Sequence, residues 1–181
     1  MKLSSKIFVF LCMFSVIGNA QIVRIETVLG NIDIELLPDV APITVANFLN
    51  YVNDGDYDNS YIHRSAFNFV IQGGGANLID GVDGEVPTDA AIINESSSSV
   101  SNVRGTISMA RTSDVNSARS QWFINVDDNT FLDGNGNGYA VFGSVIRGMD
   151  IVDVLNSLRI LPGKSLLGFI SFANSLLGKC G

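Results

Sequence analysis

Apolar and polar positions alternate from residue 22 onward. Ile22, Val23 and Ile25 are followed by Ile32, Ile34 and Leu36, with Leu29-Gly30-Asn31 between them. This is the pattern of two strands joined in a hairpin by a Gly-Asn turn. The period changes after a connector at 37–42 that holds two prolines. Val45, Phe48, Leu49 and Val52 recur at i, i+3, i+4 and i+7, which predicts an amphipathic helix over 43–52 with Pro42 near its first turn. A strand through Tyr61 and Ile62 then leads into IHRSAFNFVIQGGG at 62–75. Alternation there puts His63, Ser65 and Phe67 on one face and Arg64 and Ala66 on the other. Asn68 breaks the pattern, after which Phe69, Ile71 and Gly73 oppose Val70, Gln72 and Gly74. Residues 77–89 read as a polar loop, 90–94 as a short extended segment, and 96–99 as a four-serine loop expected to be mobile. Further strands are predicted over 103–110, 121–126 and 139–145, with a polar loop at 112–119. Ile151, Val154, Leu155 and Leu158 place a second helix over 149–158.

Short strands outnumber helices, and the two helices lie far apart in sequence. The expected class is mainly β: an antiparallel barrel or closed sheet whose open ends are covered by the helices. No internal repeat or second domain is visible. Residues 1–20 read as a secretory signal peptide, with Lys2 and Lys6 ahead of an apolar run at 7–17, and cleavage expected after Ala20 in Gly18-Asn19-Ala20. That run is too short to span a bilayer. Residues 21–158 form the folded domain. The tail, 159–181, is apolar but broken by Pro162, Gly163, Lys164, Gly168 and Asn174; it has room for an altered last strand.

Charge narrows the function classes. The full chain carries 11 Lys+Arg against 18 Asp+Glu, and losing Lys2 and Lys6 with the signal peptide takes the net charge from −7 to −9. An acidic domain argues against nucleic-acid binding and against adsorption to an anionic membrane. Only Cys180 survives cleavage, so no internal disulfide framework supports the core despite the exported context.

Candidate chemistry concentrates in 62–75. Arg64 and Gln72 stand in a strand so apolar that each needs a partner or a ligand. An edge strand whose arginine snorkels to water is the plain alternative. His63 is the only histidine, which leaves a metal site short of ligands, and no G-x-S-x-G motif supports a Ser-His-Asp hydrolase. A histidine hydrogen-bonded within the sheet is the simpler account. Gly73-Gly74-Gly75 lacks the context of a phosphate loop, so the glycines serve a tight turn or a close approach. Asp133, Asn135, Asn137 and Gly138 match the start of a calcium loop, but its twelfth position is Ser144, and a turn between strands fits better. Asn94-Glu95-Ser96 is a glycosylation sequon.

Taken together, IHRSAFNFVIQGGG (62–75), NE (94–95), RGTISMART (104–112), SQWFIN (120–125), FLD (131–133) and YAVFG (139–143) resemble the cyclophilin family of peptidyl-prolyl cis-trans isomerases, over residues 22–158. The similarity is closest to the exported bacterial branch. The resemblance implies a closed eight-stranded antiparallel barrel capped by two α-helices, with a groove on its outside. It implies that Arg64 matches the catalytic arginine and that Phe69, Phe123 and Leu132 match the walls of the proline pocket. Gln72 matches the glutamine that holds the substrate backbone. Ala110, Arg111 and Thr112 match the rim that receives the preceding residue, and Gln121 matches a second polar group of the groove. There are departures. Val70 stands where the family commonly has Met, and Tyr139 where eukaryotic members have His. Phe131 stands where some members have a Trp that contacts cyclosporin, which implies weakened affinity for such inhibitors. Phe67-Asn68 replaces the usual Pro-Gly.

These residue types suit X-Pro rotation. The barrier is about 18–20 kcal/mol, yet the two isomers differ by about 1 kcal/mol or less. A catalyst need only favour the twisted amide, in which the proline nitrogen has regained its lone pair. An arginine stays charged and offers directed donors. Phe69, Val70, Phe123 and Leu132 can grip the ring, Gln72 can anchor the backbone, and Tyr139 can donate a hydrogen bond or pack. This chemistry requires no metal, nucleophile or cofactor. The expected partners are proline-containing polypeptides among exported proteins, met by a monomer in the periplasm or outside the cell. Two other readings stay open at this point: a non-catalytic peptide-binding or chaperone module of the same fold, and a barrel carrier for small apolar ligands.

Overall fold

A computed structural model describes residues 21–134 and 136–158, together with the backbone of 171–175. The signal-peptide expectation for 1–20, and most of the tail, lie outside the described residues.

The elements run β1 (Ile22–Thr27), β2 (Gly30–Leu36), α1 (Pro42–Asp54), β3 (Ser60–Tyr61), β4 (Arg64–Ala66), β5 (Val70–Gly73), β6 (Ala76–Ile79) and β7 (Val82–Glu85). Then follow β8 (Thr106–Met109), β9 (Trp122–Asn125), a 3-10 turn (Thr130–Leu132), β10 (Val141–Arg147), α2 (Met149–Ser157) and β11 (Ser171–Ser175). Eight strands form one antiparallel sheet in the order β11-β1-β2-β10-β8-β9-β5-β4, and β3-β6-β7 form a smaller one.

The larger sheet is a half-barrel, so the expected closed barrel is corrected. Its two end strands, β11 and β4, each have a single neighbour. At the end of β4, which is only three residues long, a side chain of α2 holds the turn into β5. Asn156 Nδ2 donates to the Ala66 carbonyl at 2.8 Å, and its Oδ1 accepts from the Asn68 N–H at 3.0 Å. The polar groups of a turn need partners, and a side-chain amide supplies both senses.

Asn156 also explains why α2 is rotated from its expected face. Val152, Leu155 and Asn156 are buried, while Val154 and Leu158 are exposed. The apolar periodicity alone could not anticipate an inward asparagine.

The first hairpin forms as expected, but its reversal sits at Val28-Leu29, because Thr27 opposes Gly30. Thr27 Oγ1 accepts from the Leu29 N–H and donates to the Gly30 carbonyl, closing the turn locally. A second hairpin, β6-β7, occupies what reads as a polar loop. Its Asp80-Gly81 turn has both φ values positive, 53° and 80°, as a type I′ turn requires. The Asp-Gly pair is the signal that polarity obscured. α1 begins with Pro42, and its orphan N–H groups are met from afar: Glu95 accepts from the Ile43 and Thr44 amides at 3.1 and 2.7 Å.

Large side chains fill the concave face. Ile71, Ile124 and Ile107 stand opposite one another across β5, β9 and β8. Trp122, Phe48, Phe142 and Tyr57 are fully buried among them. A carrier needs a hollow interior; this one is packed, which removes the apolar-carrier reading. Among the described residues no helix is long and apolar enough to cross a membrane.

Asn156→Ala leaves the Ala66 carbonyl and the Asn68 N–H without their side-chain partner. The expected loss is about 2 kcal/mol. Urea unfolding followed by circular dichroism should show a lower midpoint at unchanged slope; a wild-type midpoint would refute the role given to this amide.

Candidate active site

The register of β4, β5 and β9 builds the site. Arg64 pairs with Gln72, and Gln72 with Phe123, so the three stand in one outward-facing row. Arg64 Nη1 donates to Gln72 Oε1 at 3.3 Å, and Gln72 Nε2 donates to Gln121 Oε1 at 2.8 Å. The Arg64 guanidinium carbon lies 5.6 Å from the centroid of the Phe69 ring, within cation–π range. No carboxylate pairs with Arg64 among the described residues.

A cleft of about 240 Å³ lies beside this row. Phe69, Val70, Phe123, Leu132 and Tyr139 form its apolar part, and Arg64, Gln72, Ala110 and Arg111 edge it. Val70 and Phe123 are buried and give the floor; the others are partly exposed. Phe123 meets Tyr139 edge-on at 5.5 Å, and Phe69 stacks against Phe131 at 5.7 Å. Nine of the eleven sequence-derived site residues therefore meet in one place. Thr112 and Gln121 fall in an adjoining cleft of about 300 Å³, which shares Gln72, Ala110 and Arg111 with the first. Thr88, Ser117 and Arg119 also line that second cleft. Nothing in their loop sequences sets them apart.

The Phe67-Asn68 turn leaves the pocket intact. Asn68 takes φ 52°, which asparagine tolerates, and the Phe69 amide donates to the Ala66 carbonyl at 3.0 Å. Phe69 thereby reaches the cleft while Phe67 stays exposed. The three glycines serve close approach. A Cβ on Gly73 would sit 2.7 Å from the Trp122 ring, and one on Gly75 would sit 2.8 Å from both Gln121 and His63.

Arg111 does more than form a rim. It lies 4.7 Å over the Tyr139 ring and donates to the carbonyls of Thr112, Asn137 and Gly138. The loop before Tyr139 is held from the other side by Asn94, whose amide nitrogen donates to Ser96 Oγ, Gly136 O and Gly138 O. That sequon nitrogen is thus occupied in the folded chain. Ser96 is buried, and its Oγ accepts from the Gly138 N–H, so the serine loop is anchored at its start, contrary to the expected mobility. Asp133, first residue of the calcium-like run, turns its carboxylate to Ser101 and Asn102.

The site is thus an external apolar slot edged by Arg64 and Arg111, on a half-barrel carrying two helices. The comparisons give that arrangement its family. Residues 22–165 match the model of the cyclophilin type peptidyl-prolyl cis-trans isomerases. A peptidyl-prolyl cis-trans isomerase of Acinetobacter baylyi is 50% identical over 135 residues, spanning 72% of this chain and 69% of that one. Isomerase B of Escherichia coli is 43% identical over 134 residues, 71% of this chain and 80% of that one. The crystal structure of a Cryptosporidium parvum cyclophilin type isomerase, determined in the presence of the dipeptide Ala-Pro, superposes with a TM-score of 0.70 at 27% identity, covering 86% of this chain and 99% of that one. The chain belongs to the cyclophilin family and is a peptidyl-prolyl cis-trans isomerase.

His63 sits beneath the site with its Nδ1 buried and making no hydrogen bond of normal geometry. Burial pushes its imidazole below the usual 6.5, and Gln121 opposes this only in part. The folded state therefore keeps His63 neutral where the unfolded chain already binds a proton. Stability should be full above pH 6.5 and fall as the pH drops from there to the depressed folded value. His63→Gln should flatten that part of the acid limb in urea titrations from pH 7 to 5; an unchanged slope would refute the assignment.

Proposed function

We propose that this cleft binds a proline-containing polypeptide and that Arg64 accelerates rotation about the X-Pro bond. The carrying observation is the Arg64 guanidinium held against Phe69 and Gln72 at the edge of the apolar slot. In the twisted amide the prolyl nitrogen regains its lone pair. A guanidinium N–H aimed at that nitrogen binds the twisted state better than the planar one, and this differential binding is the catalysis. Phe69, Val70, Phe123 and Leu132 hold the ring while Gln72, braced by Gln121, holds the backbone across the rotating bond. Tyr139 acts by packing, since its ring is wedged between Phe123 and Arg111. Ala110, Arg111 and Thr112 receive the residue before proline, Arg111 mainly by keeping its loop in place.

The reading extends to context. The signal-like first 20 residues support action on exported proteins, in the periplasm or outside the cell, in the manner of the exported bacterial branch. A monomer without nucleic-acid partners is in keeping with the acidic charge. Cyclosporin-like macrocycles bind with lowered affinity, because Phe131 offers a ring but no indole N–H.

Arg64→Ala should lower kcat/KM for a proline-limited peptide by about 10²-fold, the usual cost of a lost transition-state donor, with the circular dichroism spectrum unchanged. Wild-type activity in the folded variant would overturn the role of Arg64. Phe131→Trp should tighten cyclosporin inhibition by about fivefold, on the scale of one added hydrogen bond; an unchanged inhibition constant would show that this position does not limit affinity.

A further inference from the structure

Behind the cleft, five polar side chains are packed away from water: Asn102, Thr106, Ser108, Asn125 and Asn129. Buried polar groups at this density are costly unless every one is satisfied. Here the hydrogen bonds converge on Asn102, which is 1% exposed. Its Oδ1 accepts from the Ser108 hydroxyl at 2.7 Å and from Asn125 Nδ2 at 3.3 Å, tying it to β8 and β9. Its Nδ2 donates to Asp133 Oδ1 at 2.8 Å and to the Tyr139 carbonyl at 3.2 Å. Both of those are acceptors, which fixes the orientation of the amide. Its backbone N–H donates to the same Asp133 oxygen, and its carbonyl accepts from the Asn129 N–H.

Every group on the far side of these bonds carries a wall of the slot. Asp133 follows Leu132, whose N–H donates to the Asn129 carbonyl. Asn129 Nδ2 donates to the Phe69 carbonyl at 3.0 Å. The third wall, Tyr139, is held directly by Asn102. Phe69, Leu132 and Tyr139 come from three separate segments, and the cluster centred on Asn102 joins all three to the rigid strands β8 and β9. Arg64 and Gln72 take no part in it.

We infer that Asn102 is a positioning residue for prolyl isomerisation: its side-chain amide sets the width of the proline slot by joining Asn129, Leu132-Asp133 and Tyr139 to β8 and β9, without touching substrate. This rests on the reading of the cleft given above. The slot walls grip the ring in planar and twisted states alike, so loosening them weakens binding and leaves the contribution of Arg64 in place. KM should therefore move while kcat holds, the reverse of what a lost transition-state donor does.

The test is N102D, which turns an acceptor toward two acceptors, the Asp133 carboxylate and the Tyr139 carbonyl. Initial rates of X-Pro isomerisation are measured over a range of peptide concentrations, with circular dichroism to confirm folding. N102D is expected to raise KM about tenfold, the scale of one buried hydrogen bond, with kcat within about twofold. If N102D fails to fold, Asp133→Ala at the exposed rim decides, with KM expected to rise about threefold from the lost anchor. A folded N102D with wild-type KM, a loss confined to kcat, or an unchanged KM in Asp133→Ala would each overturn the inference. An inactive wild-type chain would instead overturn the reading of the cleft.

Discussion

Arg64 and Gln72 face each other across the ladder of β4 and β5, and the function proposed for the cleft depends on that pairing. A cation beside an apolar slot is useful only if it stays where it is. The exposed guanidinium meets Gln72 on one side and the Phe69 ring on the other, which fixes its place at the edge of the slot. It needs no carboxylate to hold it there. A bidentate acid would have consumed the donors that the twisted amide requires.

That arrangement asks much of β4, the shortest part of the sheet to carry a functional group. A three-residue end strand would fray without help, and help comes from α2 through Asn156. The far end of the site is treated similarly. Leu132 and Tyr139 sit on irregular backbone, which is stiffened by Asn94, Asn102 and Arg111 through bonds to carbonyl and carboxylate oxygens. The slot thus has a regular sheet for its floor and pinned loops for its rim. Asparagine recurs in these joints because one short side chain both donates and accepts.

The electrostatic design is sparing. Asp33 is buried, and hydrogen bonding from Arg24 holds its carboxyl below the ordinary range despite desolvation. Asp133 is likewise held low by Ser101 and Asn102 against desolvation. Both charges serve structure, at the sheet and at the rim. The charge assigned to chemistry is Arg64, which fits a reaction that moves no proton and makes no covalent bond.

Much of the protein was legible from residue order alone. Periodicity located both helices and most strands of the main sheet, because burial of one face imposes its period on the chain. The six motifs placed nine site residues that the fold then brought to one cleft. What sequence order misplaced were features set by a single side chain acting at a distance. The Thr27 hydroxyl moved the first turn, Asn156 rotated the face of α2 and pinned the turn between β4 and β5, and Ser96 anchored a serine run that reads as mobile. The buried cluster around Asn102 belongs to the same group. Its members are common polar residues with no period and no motif, and their partners lie up to 60 residues away, as Asn129 does from Phe69. Hydrophobic pattern is a local property of the chain and can be read from it. The satisfaction of a buried amide is decided only once distant segments meet, so the tertiary structure alone could show which asparagines hold the slot together.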